Sequence, residues 1–316
     1  MIRTLSTFLL PASLAVSLAA PVQAQEPITI VTTTGMIADA ARQVGGDLVE
    51  VQSLMGAGVD PHAYRQTRSD IVATARADLV LWHSLYLEAQ MEEFLLELAE
   101  TNTVVPVAEA LDPERLLGSE DYEGRFDPHV WMDPEIWVDV VTHVAFAIEE
   151  VQPDAAPVLT AGLADYSAEI DALAAYSQEV LATVPEASRV LLTAHDAFNY
   201  FGAAYGFEVI GIQGISTESE AGLQRIGELV DMLVTREIGA VFVESSVSDR
   251  NIRALIEGAA ARGHEVIIGG ELFSDAMGPD GTYTGTWIGM IDHNVTTIAR
   301  ALGGEAPEGG MQGLLE

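Results

Sequence analysis

Short apolar runs alternate with amphipathic stretches from residue 28 to residue 302, and this alternation restricts the chain more than any other feature. In the first half, "ITIVTT" (28–33), "LVEVQSL" (48–54), "DLVLW" (78–82) and "TVVPV" (103–107) read as strands. The second half repeats the pattern with "RVLLTA" (189–194), "FEVIGI" (207–212), "GAVFVE" (239–244) and "EVIIG" (265–269). Helical periodicity predicts helices at about 36–46, 67–76, 87–100, 134–151, 196–205, 220–236, 249–262 and 286–302. Thr67 and Asp70 stand at capping-box spacing before the second of these. Alternation of this kind predicts an α/β fold of two (β/α) lobes with mainly parallel sheets.

The two halves meet at residues 157–184. Leu159, Leu163, Tyr166, Ile170, Leu173 and Val180 recur there at helical spacing, with Gly162 as the one internal glycine. A single helix of this length, at ~1.5 Å per residue, is a rod of about 42 Å. The expected organisation is a signal peptide at 1–24, an N-terminal lobe at 25–156, a rigid linking helix at 157–184 and a C-terminal lobe at 185–316.

The leader "MIRTLSTFLLPASLAVSLAAPVQA" carries Arg3, then an apolar run, then small residues at Val22 and Ala24. It reads as a secretory signal cleaved after Ala24, which implies export to a periplasm. No later stretch is long and apolar enough for a span. The chain has no cysteine, so neither a disulfide nor a lipid-bearing cysteine is expected. Acids outnumber bases 48 to 14, and the net charge is −34. Nucleic acid and anionic membrane surfaces are therefore excluded as partners.

Three of the seven histidines sit at element junctions: His62 in "DPHAY", His129 in "DPHVW" and His195 in "TAHDAF". Asp275, in "ELFSDAMG", follows the last predicted strand. Ligands of parallel α/β sheets bind beyond the carboxyl ends of strands. Three imidazoles and a carboxylate make a four-ligand shell for a first-row divalent metal. Pro61 and Pro128 stiffen the approach to their histidines. One such histidine alone would read as a helix cap or a core hydrogen-bonding residue; three in equivalent places favour a site. Its expected ligands are His62, His129, His195 and Asp275, with binding displacing up to three protons.

These stretches, with "QGISTESE", resemble in order and across the whole mature chain the metal-specific solute-binding proteins of bacterial ABC importers, the periplasmic zinc- and manganese-uptake family. The resemblance implies two lobes joined by one long helix, with the metal in the cleft. It implies Zn²⁺ or Mn²⁺ as the transported ligand and an inner-membrane permease with a cytoplasmic ATPase as partners. The chain would act as a monomer and not as an enzyme. Many manganese-specific members carry Glu where this chain has His195. Many zinc-specific members carry a His-rich loop before the second ligand, whereas "LDPERLLGSEDYEGRFDPH" has no histidine before His129. The chain thus carries neither marker.

The alternative is a zinc-dependent hydrolase. It would need an open coordination position and either Asp275 or Glu244 as a base. The chain has neither H-E-x-x-H nor G-x-S-x-G. A surface adhesin is a weaker third reading. His83, at a strand end, is expected to line the cleft without ligating. Glu244 is expected to orient a ligand or cap a helix. Asp60, Asp127 and Asp196 adjoin the histidines and either orient imidazoles or start helices. His143, His264 and His293 are expected to be solvated, and Trp131 and Trp137 to belong to the core and not to the site.

Overall fold

The computed structural model describes residues 26–119, 124–219 and 221–315. The expected signal peptide lies outside the described residues. In the first half, strands β1 (Ile28–Thr32), β2 (Val49–Ser53), β3 (Leu79–Trp82) and β4 (Val104–Pro106) form one parallel sheet in the order β2-β1-β3-β4. In the second half, β5 (Val190–Thr193) pairs with β6 (Glu208–Gly211), and β7 (Ala240–Glu244) pairs with β8 (Ile267–Leu272), all parallel. β5 lies alongside β7, so the two pairs form one layer. Every ladder points its carboxyl end the same way within its lobe, which delivers the following loops to a common rim.

Helices cover these sheets: α1 (Gly35–Gly45), α2 (Arg68–Arg76), α3 (Glu92–Leu98) and α4 (Pro134–Val151) in the first half. α5 (Ala156–Ala182) is the long connection. α6 (Asn199–Tyr205), α7 (Leu223–Thr235), α8 (Arg250–Ala260) and α9 (Trp287–Ala301) follow. The capping box forms as the sequence predicts: Thr67 accepts from the Asp70 amide, and Asp70 accepts from the Thr67 amide at 2.6 Å. Caps of this kind contribute about 1 kcal/mol.

The predicted stripe of α4 is buried throughout, at Ile136, Val140, Val144 and Ile148. On α5, Leu159, Tyr166, Ile170, Leu173 and Val180 are buried, and Leu163 is half-buried. One apolar core runs without a break from Ile30 and Val44 through α4 and α5 to Val295 and Ile298 of α9. A polar joint sits inside it. Asp39 of α1 accepts from the Tyr166 hydroxyl at 3.1 Å and the Trp287 amide at 2.9 Å, joining α1, α5 and α9. Burial pushes the Asp39 carboxyl up, against the pull of these donors and Arg42.

One predicted helix is shorter than its periodicity suggests. The expected 87–100 segment is helical only at Glu92–Leu98. Ser84, Leu85 and Tyr86 adopt left-handed φ angles of 73°, 52° and 71°. Glu88, fully buried, anchors this turn: its carboxylate accepts from the Thr33 hydroxyl at 2.5 Å and from the His83 and Ser84 amides at 2.8 and 3.1 Å. Leu87, Met91 and Leu95 are buried all the same, and their four-residue spacing is what mimics a longer helix.

Candidate metal centre

His62, His129, His195 and Asp275 come together between the lobes, with all four candidate donor atoms within 4.8 Å of one another. None is more than 2% exposed. Each is placed by a local device. Asp60 folds back to accept the His62 amide at 2.9 Å, closing a tight turn after β2. His129 starts a short 3₁₀ turn at Val130–Met132, just before α4. His195 leaves the end of β5, where the Thr193 hydroxyl donates to its carbonyl at 2.8 Å. Asp275 follows β8.

The separations carry chemical information. His62 Nε2 lies 3.3 Å from His129 Nε2. His129 Nε2 lies 3.4 Å from Asp275 Oδ1, and His195 Nε2 lies 3.2 Å from Asp275 Oδ2. Ligands about 2.0–2.1 Å from a tetrahedral zinc lie about 3.3–3.4 Å from each other, so these three separations are of the size that a shared metal would require. The contacts to Asp275 are not good hydrogen bonds: His195 Nε2 and both Asp275 oxygens are buried without an aligned partner. A buried polar atom without a partner is costly, and in this place the donors point at one shared centre. The three rings meet edge-on or tilted, at 54–79° between planes, and do not stack.

The far side of two rings is equally organised. Asp127 Oδ1 lies 2.7 Å from His129 Nδ1, and Glu244 Oε2 lies 2.5 Å from His195 Nδ1. These carboxylates hold the proton on Nδ1 and turn Nε2 toward the centre. Asp127 is itself held by the other lobe, through Asn199 Nδ2 at 3.1 Å and the Tyr200 hydroxyl on its carbonyl at 3.0 Å. Burial alone would lower both imidazoles. Asp127 and Asp275 outweigh it at His129 and carry its pKa up to about 9, and Asp275 and Glu244 raise His195 well above 6.5. Burial would raise Asp275, but the facing imidazoles hold it well below the usual carboxylate range. His62 has no carboxylate on its ring, and burial pulls it down to about 3.

Two of the expected three displaced protons therefore have a place in the metal-free site, on His129 and His195; His62 is already neutral at pH 7. Of the flanking acids, only Asp127 reaches an imidazole. Asp60 binds the His62 backbone, and the partner of the His195 ring is Glu244 in place of Asp196. Glu244 also accepts the His195 amide at 2.8 Å, so both of its oxygens are committed and it is not free as the base that a hydrolase needs. His83 is fully buried and bonds the Pro128 carbonyl at 2.7 Å, which braces the His129 turn from behind.

One expectation is corrected. His143, His264 and His293 are half-buried, and each ring bonds a backbone carbonyl, of Val107, Ile238 and Glu271 respectively. Trp131 and Trp137 are both fully buried in the core, as expected; Trp137 stacks on Trp287 at 5.8 Å, and the Trp131 ring borders His129 and His83. Asn199 and Tyr200 escaped notice because nothing in "FNYF" distinguishes a residue that braces Asp127 from an ordinary helix start. A cavity of about 290 Å³ bordered by Gly35, Met55, Gly56, Val59 and Met277 reaches Asp275.

With this geometry in view, residues 30–301 match the sequence pattern of the family described as zinc-uptake complex component A, periplasmic. The chain belongs to that family. It is 45% identical over 280 residues to the manganese-binding lipoprotein MntA of Bacillus subtilis (strain 168), covering 88% of this chain and 91% of that one. It is 44% identical over 273 residues to the zinc-binding protein TroA of Treponema pallidum (strain Nichols), covering 86% and 88%. The solved periplasmic zinc-binding protein TroA from Treponema pallidum superposes with a TM-score of 0.85 at 43% identity, covering 87% of this family member and 99% of that chain. The α/β fold of two lobes with parallel sheets is thus the fold of a solved relative. Among the described residues no helix is long and apolar enough to cross a membrane.

Proposed function

We propose that this chain is an exported solute-binding protein that captures one divalent transition metal, Zn²⁺ or Mn²⁺, at His62, His129, His195 and Asp275 and hands it to an ABC importer. The observation that carries the reading is the convergence of four buried donor residues, with separations of 3.2–3.4 Å between neighbours and with His195 Nε2 and both Asp275 oxygens lacking an aligned hydrogen bond. Four protein donors surround the ion, which suits holding and release better than catalysis. The relatives support the metal class, since one is named for manganese and another for zinc. The name of the family, an uptake-complex component, supports a membrane permease and its ATPase as partners. In this reading 1–24 is a cleaved signal, the lobes are 25–156 and 185–316, and the 157–184 helix joins them in a periplasmic monomer.

The test is metal titration of chelator-treated protein. One ion per chain should bind, and at a thousandfold excess over Kd it should stabilise the fold by about 4 kcal/mol. His62→Ala, His129→Ala and His195→Ala should each lose most of the resulting rise in melting temperature. Full metal-induced stabilisation in all three variants would show that the ligands lie elsewhere. For delivery, cells lacking the chain should lose high-affinity uptake of the metal it binds, and unchanged uptake would overturn the transport role.

A further inference from the structure

We propose that Trp131 is a positioning residue for the metal site: its indole N–H fixes the peptide that carries Asp275, and through it the aim of the carboxylate. The proposal rests on the ligand set just given. The His129 and His195 rings are each oriented by a carboxylate of their own, Asp127 and Glu244. Asp275 has no such partner, because no aligned hydrogen bond reaches either of its oxygens. Its direction is therefore inherited from its backbone.

That backbone is held from the other lobe. Trp131 Nε1 donates to the Ser274 carbonyl at 2.8 Å, across 143 residues of sequence. The Ser274 oxygen and the Asp275 Cα lie in one rigid peptide plane, so fixing the oxygen fixes the plane from which the Asp275 side chain starts. Trp131 is itself immobilised. It is fully buried, and its own carbonyl accepts from Trp287 Nε1 at 3.1 Å. Its ring meets His129 edge-on at 5.2 Å and His83 at 5.1 Å. One side chain thus borders the His129 ligand and aligns the Asp275 ligand. Asn294 clamps the preceding residue, Phe273, at 2.9 and 2.7 Å, but from within the same lobe. Trp131 is the tie that crosses.

Trp131→Phe keeps a ring and removes the N–H. The buried Ser274 carbonyl would then rotate to regain a donor and carry Asp275 with it. Loss of a group that orients a ligand costs about 10–100-fold in metal affinity, and that loss is expected here for Zn²⁺ measured by chelator competition. In an Asp275→Ala background the same change should cost less than twofold, because the group it positions is gone. A residue that merely fills the core would cost the same factor in both backgrounds, and that result, or an unweakened Trp131→Phe, overturns the proposal. Should Trp131→Phe fail to fold, replacing Trp131 with 3-benzothienylalanine keeps the shape and removes only the N–H. Cobalt(II) gives a second readout. Its visible spectrum in the Trp131 variant should move toward that of Asp275→Ala, and an unchanged spectrum counts against the proposal. If Asp275→Ala itself binds zinc as tightly as the unaltered chain, the ligand assignment fails first, and the proposal falls with it.

Discussion

Glu244 grips His195 twice, with one oxygen 2.8 Å from the backbone amide and the other 2.5 Å from ring Nδ1. The carboxylate at the end of β7 thereby sets both the position and the tautomer of a residue at the end of β5. In Glu244→Gln one oxygen is replaced by an amide that faces an N–H donor, so one of the two bonds must break. Zinc affinity should fall about tenfold. The His195 ring also loses its anionic partner, so fewer protons should be released on binding. Competition titration at pH 7 checks the first, and calorimetry in buffers of different ionisation enthalpy checks the second. An unchanged Kd would mean that Glu244 is only a structural cap.

Proton release distinguishes the three histidines. At pH 7 the metal-free site carries protons on His129, at about 9, and on His195, raised well above its ordinary value, while His62 is neutral. An imidazolium cannot ligate, so binding should release about two protons per ion. Apparent affinity should then fall on acidification below pH 8, by about tenfold per pH unit for each imidazolium that must be deprotonated. A count near zero would place the metal away from these rings.

The stability of the metal-free protein should peak near pH ~6.5, the ordinary value for histidine. Below it, the unfolded chain takes up protons at residues 62 and 83, which the folded chain refuses down to about 3 at both. Stability therefore drops as pH falls through that window. Above pH ~6.5, the folded chain keeps protons on His129 and His195 that the unfolded chain gives up. Their contribution is complete below ~6.5 and is lost as pH rises through about 9 for His129. Urea denaturation across pH 4–10 reads the curve. His83→Asn should flatten the acid limb and leave the alkaline limb in place; a variant with an unaltered acid limb would exclude His83 as a source.

Zn²⁺ should bind more tightly than Mn²⁺ in vitro. Three imidazoles and one carboxylate favour zinc in the order of divalent affinities, and the 3.2–3.4 Å edges suit a compact four-ligand shell. Competition with a chelator of known affinity for both ions decides the matter, and a lower Kd for Mn²⁺ would contradict the expectation.

How much of this could be read before the fold was seen depends on range. Strand–helix alternation is local, so the elements and their order were legible, as were the capping box and the stripe of α4. The convergence of His62, His129, His195 and Asp275 was legible because each sits at a strand-to-helix junction, where parallel sheets gather their loops. The contacts behind the site were legible only in part: Glu244 was expected to orient a ligand or cap a helix, and it orients His195. Asn199 and Tyr200 on Asp127, and Trp131 on Ser274, join residues far apart in sequence, and no spacing rule reports them. The left-handed turn at Ser84–Tyr86 was hidden for the opposite reason: the buried spacing of Leu87, Met91 and Leu95 imitates a longer helix than the one at Glu92–Leu98.

Helix propensity and packing give opposite signs at Gly162, and packing should win. Replacing an interior helical glycine with alanine ordinarily stabilises by about 1 kcal/mol. At Gly162 of α5, however, a Cβ would stand 2.3 Å from the carbonyl oxygen of Val44, near the end of α1. That oxygen is backbone and cannot swing aside, so α5 would have to withdraw from α1 along the core that joins the lobes. Overpacking of this kind costs about 1–3 kcal/mol, more than the propensity gain. Gly162→Ala should therefore lower the melting temperature of the metal-free protein. Gly227 of α7 supplies the control, since nothing lies within 4 Å of a Cβ built there. Gly227→Ala should raise the melting temperature through propensity alone. If both substitutions stabilise, α1 and α5 are not in the close contact described, and the rigid junction between the lobes loses its main support.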